Sequence, residues 1–164
     1  MDFEQRLQNA IARGRRIGVA EGRQMAEKAM TEEELRNLHT GYRLELSEHV
    51  ESCLRQLVEH FPGFDISTVV SEVGWGAKIA RDDYDAGGST GPGRPRNLFS
   101  RLELIVKPFN PSHIVELVAK GTIRNKEVFH RTHFQMLGRV DVDSFRELID
   151  LWVLEYAETF AAQQ

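Results

Sequence analysis

From Ile66 to Met136 the sequence keeps a two-residue rhythm, while the stretches before and after it step by threes and fours. A strand-forming centre between helix-forming ends allows few architectures. The economical one is α+β, with helices collected against a sheet. The elements read in the order α, α, β, β, β, β, α. Consecutive strands joined by short connections make an antiparallel meander. The expectation is a four-stranded antiparallel sheet, with two N-terminal helices and one C-terminal helix packed mainly on one face, and residues 1–164 as one domain.

Within the centre, Thr68 to Arg81 reads as one strand in which Trp75, Ala77 and Ile79 share a face and Lys78 and Glu72 take the other. Gly74 and Gly76 bracket Trp75, the signature of a bulge or a close backbone approach. Residues 85–97 carry the run AGGSTGPGRPRN and are expected to form a mobile Gly/Pro loop. Phe99 to Lys107 resumes the alternation, with Leu102, Leu104 and Val106 against Arg101, Glu103, Ile105 and Lys107. Two further strands, His113–Arg124 and Glu127–Gln135, flank Asn125-Lys126, which reads as a two-residue hairpin loop. That register opposes Ile123 to Val128, Gly121 to His130, Ala119 to Thr132 and Leu117 to Phe134 on the helix side. Thr122 then opposes Phe129, Lys120 opposes Arg131 and Val118 opposes His133 on the other side.

The first thirty residues carry an apolar stripe of Phe3, Leu7, Ala10, Ile11, Ile17, Met25 and Ala29 at helical spacing. Gly14, Gly18 and Gly22 recur on the same side, each costing a helix about 1 kcal/mol relative to Ala. Close approach of another backbone would repay that cost, and without it the segment protrudes as a partly mobile helical arm. Arg13, Arg15, Arg16, Glu21 and Arg23 exclude a membrane span there. Thr31-Glu32-Glu33-Glu34 is a capping box that opens a second helix. Leu35, Leu38, Tyr42, Leu46, Val50, Cys53, Leu57 and Phe61 form its stripe, and Pro62-Gly63 ends it. Asp141 or Ser144 caps the last helix, whose stripe is Phe145, Leu148, Ile149, Trp152, Tyr156 and Phe160.

A composition of 41% apolar and 28% charged residues suits a globular chain. No apolar run reaches the roughly 20 residues of a bilayer span, and the start lacks the apolar core of a signal peptide. Cys53 is the one cysteine, so an intramolecular disulfide and a Cys-only metal site are excluded. A cytoplasmic, reducing setting is expected. The net charge of −4 is unevenly spread. Residues 62–140 hold 11 bases against 8 acids, and residues 141–164 hold Arg146 against six acids. A basic middle beside an acidic end polarises the surface.

Sites of chemistry are scarce in the pattern. His130 and His133 sit three apart in a strand and point to opposite faces, and no HExxH spacing occurs, so no metal site is assigned. His39 and His49 lie too far apart on one helix to share an ion. Asp82, Asp83 and Asp85 lack the further ligands of a calcium loop. The Gly/Pro run lacks the GK[ST] ending of a phosphate loop. Cys53, on the helix stripe, reads as a small apolar residue. No cofactor and no catalytic residue follow.

Three functions stay in play. One is a non-enzymatic interaction or regulatory module, self-associating as a homo-oligomer through Gly14, Gly18 and Gly22 of the first helix. Another is binding of a small anionic ligand, with or without catalysis, in a cleft between sheet and helices lined by Trp75, Lys120, Phe129, Arg131 and His133. The third is weak nucleic-acid binding through Lys120, Arg124, Lys126, Arg131, Arg94, Arg96 and Arg101, with Phe129 to stack on a base. The net negative charge opposes it.

Overall fold

The computed structural model describes residues 2–27, 30–85 and 96–163. They form α1 (Phe3–Glu27), α2 (Glu32–His60), β1 (Asp65–Ser71), β2 (Gly74–Asp85), β3 (Arg96–Val106), β4 (Ile114–Ile123), β5 (Lys126–Met136), a 3-10 turn (Leu137–Arg139) and α3 (Val142–Ala162). The sheet is an antiparallel meander in the order β1-β2-β3-β4-β5. It has five strands where the rhythm predicts four, because the stretch read as one strand folds back on itself. Glu72 and Val73 turn between β1 and β2, and Gly74 follows at φ 144°. A Cβ at Gly74 would lie 2.5 Å from the Val106 carbonyl oxygen, and one at Gly76 would overlap the Leu104 carbonyl. The two glycines around Trp75 thus mark the close approach of β2 to β3 as well as a chain reversal. Of the Gly/Pro loop, residues 86–95 lie outside the described residues.

The β4–β5 hairpin also departs from the expected register. Its turn is Arg124-Asn125, at φ 47° and 70°, a left-handed pair that suits the twist of a tight hairpin. Three hydrogen bonds hold Asn125 to the β3 end: its amide to the Phe99 carbonyl at 2.8 Å, its Nδ2 to the Asn97 carbonyl at 2.8 Å, and its Oδ1 accepting from the Phe99 amide at 2.8 Å. A bulge beside Gly121/Thr122 then leaves Val128 as the extra residue, so Gly121 opposes Phe129, Ala119 opposes Arg131 and Leu117 opposes His133. The β4 side chains keep their expected faces, and every β5 side chain beyond the bulge swaps.

One face of the sheet carries the core. Ala77, Ile79, Leu102, Leu104, Leu117 and Ala119 are fully buried beneath α2 and α3. The α2 stripe buries Leu35, His39, Tyr42, Leu46, Val50, Leu54 and Leu57. His39 and Leu54 enter where the expected stripe has Leu38 and Cys53, both only half-buried, since 3.6 residues per turn lets a long stripe drift. Thr31 Oγ1 caps α2 by accepting from the Glu34 amide at 3.2 Å. Asp141 caps α3 by accepting from the Asp143 and Ser144 amides. Across the core, Tyr156 donates its hydroxyl to the Thr122 carbonyl at 2.8 Å, and burial raises that phenol's pKa.

α1 stands apart. Its contacts run mainly to the 3-10 turn and its flanks, with one bond to α2: Arg23 donates to Tyr42 Oη at 3.1 Å and to the Val140 carbonyl at 3.5 Å, Arg16 pairs with Asp141 at 3.7 Å and Glu21 with Arg139 at 3.5 Å. Ala20 is half-buried on the same side, and every other described side chain of the helix is exposed. Gly14 and Arg23 are nine residues apart, two and a half turns, and so lie on opposite sides. The arginine-bearing side of α1 rests on the body, and the apolar side faces away. Phe3 is 76% exposed and Ile17 58%. Ala29 and the side chain of Met25, the end of the expected stripe, fall outside the described residues.

Candidate functional site

The five residues expected to line an anion cleft do not converge. Lys120 opposes His130 on the open sheet face, and Phe129, Arg131 and His133 lie on the helix face, a consequence of the bulge. Phe129 is buried edge-on against Tyr156. Arg131 chelates Glu155, one contact being Nη2 to Oε1 at 3.0 Å, which holds the carboxyl below and the guanidinium above their usual ranges. His133 packs edge-on against Phe145, and burial lowers its pKa. Trp75 sits further off, with the Arg43 guanidinium 3.7 Å from its ring centroid. Phe129, Arg131, His133 and Trp75 are thus each engaged by a neighbour within the chain, while Lys120 is exposed. Of the nucleic-acid candidates, Lys120, Arg124 and Lys126 are exposed, Arg101 pairs with Glu103, and Arg94 falls outside the described residues. The aspartates also diverge: Asp83 bonds Arg81 at 2.9 Å, and Asp82 points to the open face.

Beyond the helix's own backbone, no described atom lies within 4 Å of where a Cβ would stand at Gly14, Gly18 or Gly22. The close approach that would repay these glycines is therefore not made by the described part of the same chain.

The group that the structure does bring together lies between α2 and α3. His49 and Cys53, four residues apart, share one face of α2, and Asp150 reaches them from α3. His49 Nε2 is 2.8 Å from Asp150 Oδ1, Cys53 Sγ donates to the same oxygen at 3.3 Å, and Sγ lies 3.6 Å from Nε2. One ligand atom from each side chain thus meets at a point, all within 4.8 Å. The trio borders a cleft of about 670 Å³ whose walls include Leu57, Phe61, Val153, Leu154 and Ala157.

The geometry is not that of a relay. In a nucleophile–base–acid triad the imidazole uses one nitrogen for the nucleophile and the other for the acid. Here both contacts fall on Nε2. Burial, with the Asp150 carboxylate beside it, pushes the Cys53 thiol up to about 12, so the sulfur is protonated and a poor nucleophile at neutral pH. Sequence reasoning places Cys53 in the apolar stripe and misses this group, because Asp150 joins it from 97 residues away. The one local signal is the His-x-x-x-Cys spacing on a helix.

A second feature lies deep under the sheet. His39 is fully buried, and among the described residues neither of its ring nitrogens has a hydrogen-bond partner, nor does Arg43 Nε beside it. The His39 ring meets Phe109 edge-on. Burial, then the charges of Arg43 and Arg36, lowers its pKa to about 4, so the ring stays neutral. Two unsatisfied nitrogens each cost on the order of 1–3 kcal/mol.

Comparison with protein families, with curated proteins and with solved structures gives no match. No helix among the described residues is long and apolar enough to cross a membrane.

Proposed function

We propose that this chain is a non-enzymatic interaction module that associates with a second copy of itself through α1. The observation that carries the reading is the orientation of that helix. Arg16, Ala20 and Arg23 rest on the body, and Phe3, Leu7, Ile11 and Ile17 stand in solvent. A helix of 25 residues spans about 37 Å. Holding such a length helical with three interior glycines, its apolar side wet, is unfavourable unless a partner covers it.

A second copy offers a fitting surface. The outward side of α3 exposes Leu151 and Leu154 among Glu147, Asp150 and Glu158. α1 carries five arginines against three glutamates, and Arg6, Arg13 and Arg15 flank its apolar stripe. A basic amphipathic helix laid on an acidic apolar ridge combines burial with charge complementarity. Reciprocal docking, α1 of each copy on α3 of the other, closes a two-fold dimer.

Sedimentation velocity of the full chain at micromolar concentration tests this. The expected species is a dimer that loosens as salt rises, and that Gly18→Leu or Leu154→Arg returns to monomer without loss of helix content. A strict monomer, or a dimer indifferent to both substitutions, overturns it. A monomer that floats with anionic vesicles also overturns it, placing α1 on lipid instead.

A further inference from the structure

The geometry points to a divalent zinc site formed by His49 Nε2, Cys53 Sγ and Asp150 Oδ1, with its fourth position open to the cleft between α2 and α3. It shares Asp150 with the α3 ridge proposed for docking and borders Leu154 of that ridge, and its test reads metal binding rather than association. Zn²⁺ takes imidazole, thiolate and carboxylate ligands in a tetrahedron, with bonds of about 2.0–2.3 Å. Those bond lengths set neighbouring ligand atoms roughly 3.3 Å apart for nitrogen–oxygen and roughly 3.5 Å for the two sulfur edges. The sulfur edges here measure 3.3 and 3.6 Å. The nitrogen–oxygen edge is 2.8 Å, and must widen by about 0.5 Å when a metal replaces the shared proton. Small side-chain rotations suffice, since His49 and Cys53 are held one turn apart on a rigid helix and Asp150 is half exposed.

The donor set selects among cations. One sulfur, one nitrogen and one oxygen do not suit Mg²⁺ or Ca²⁺, which want six or more oxygens, and they do suit a borderline-soft ion such as Zn²⁺. On binding, the Cys53 S–H bond breaks, the sulfur's electron pair goes to the metal and that proton passes to solvent, while the proton between His49 Nε2 and Asp150 leaves Nε2 for Nδ1, freeing the Nε2 lone pair for the metal. Three protein ligands with a fourth position open mark a site that holds an exchangeable ligand, in contrast to closed structural sites of four ligands. Behind that position lie Leu57, Val153 and Ala157. The ligand class that fits has one donor atom, such as a carboxylate or a thiol, on an apolar body.

Co²⁺ substitution under reducing conditions reads this directly, because Cys53 is the chain's single cysteine. The full-length chain titrated with Co²⁺ is expected to bind one ion with a thiolate-to-cobalt charge-transfer band and the intense visible bands of a tetrahedral centre. Zn²⁺ should displace the cobalt and bleach both. Cys53→Ala should lose the charge-transfer band, and Asp150→Asn should weaken Zn²⁺ by at least the roughly 10–100-fold lost with an outer-shell partner, with circular dichroism showing both variants folded. If Cys53→Ala fails to fold, His49→Gln, at a partly exposed position, carries the same test. Pale octahedral cobalt only, or a Zn²⁺ affinity that survives loss of Cys53 or His49, overturns the site.

Discussion

α1 and α2 are neighbours in sequence, similar in length and both striped with apolar residues, yet one is folded into the protein and the other lies on it. α2 shows Leu, Val and Tyr to the sheet and to α3, and its Thr31 cap and Pro62-Gly63 stop bound it cleanly. α1 breaks its stripe with Gly14, Gly18, Gly22 and Glu21, and meets the body through arginines instead. The contrast teaches that an amphipathic period says which side of a helix can be buried, and the size of the side chains along it helps decide whether its own chain does the burying.

The sharpest way to break this comparison is a matched pair of truncations. Leu46→Ala, at a fully buried α2 position, should cost about 2–5 kcal/mol of unfolding free energy. Leu7→Ala on α1, in protein dilute enough to be monomeric, should change global unfolding by less than about 0.5 kcal/mol. Urea unfolding measures both, and comparable losses would mean that α1 belongs to the cooperative core.

The pH dependence sharpens it further, since His39 sits on α2 with no counterpart on α1. Its folded pKa is about 4, against 6.5 for the unfolded chain. Between those values the unfolded state binds the extra proton, so stability is intact above pH 6.5 and falls as pH drops toward 4. The loss is on the order of 2–3 kcal/mol, and burial of His133 adds in the same direction. His39→Leu should flatten most of this slope and raise stability at neutral pH by removing two unsatisfied nitrogens. An unchanged slope in denaturation at pH 7, 5.5 and 4.5 would locate the titration elsewhere.

The smallest effect comes from glycine. Beyond the helix's own backbone, neither Gly41 on α2 nor Gly18 on α1 has a described atom within 4 Å of a would-be Cβ. Gly41→Ala should therefore raise the global unfolding free energy by roughly 0.5–1 kcal/mol. Gly18→Ala should raise helix content by circular dichroism with little change in the urea midpoint. A shift of the midpoint by the α1 substitution would again tie the arm to the core.

Period alone made much of this architecture legible. The α2 and α3 caps at Thr31 and Asp141, the inward sides of β2, β3 and β4, and the antiparallel order all follow from local chemistry: short polar side chains bond helix amides, and alternate residues of a strand face opposite ways. The opposed directions of His130 and His133 follow for the same reason. What escaped was whatever depends on a single residue of register. Reading one strand where β1 and β2 lie overlooked that Gly74 can end a turn as well as open a bulge. The β5 assignment slipped because Arg124 and Asn125, held to Asn97 and Phe99, form the turn, and one bulged residue reverses every side chain beyond it.

Sequence by itself determined where this protein is helical, where it is extended and which stripes can be buried, because those are properties of neighbours along one chain. Only the tertiary structure decided that Cys53 meets Asp150, that Phe129, Arg131 and His133 turn inward while Lys120 turns out, and that α1 shows its apolar side to solvent. Each of these is set by distances between elements that the chain separates by tens of residues, and short-range periodicity carries no term for them.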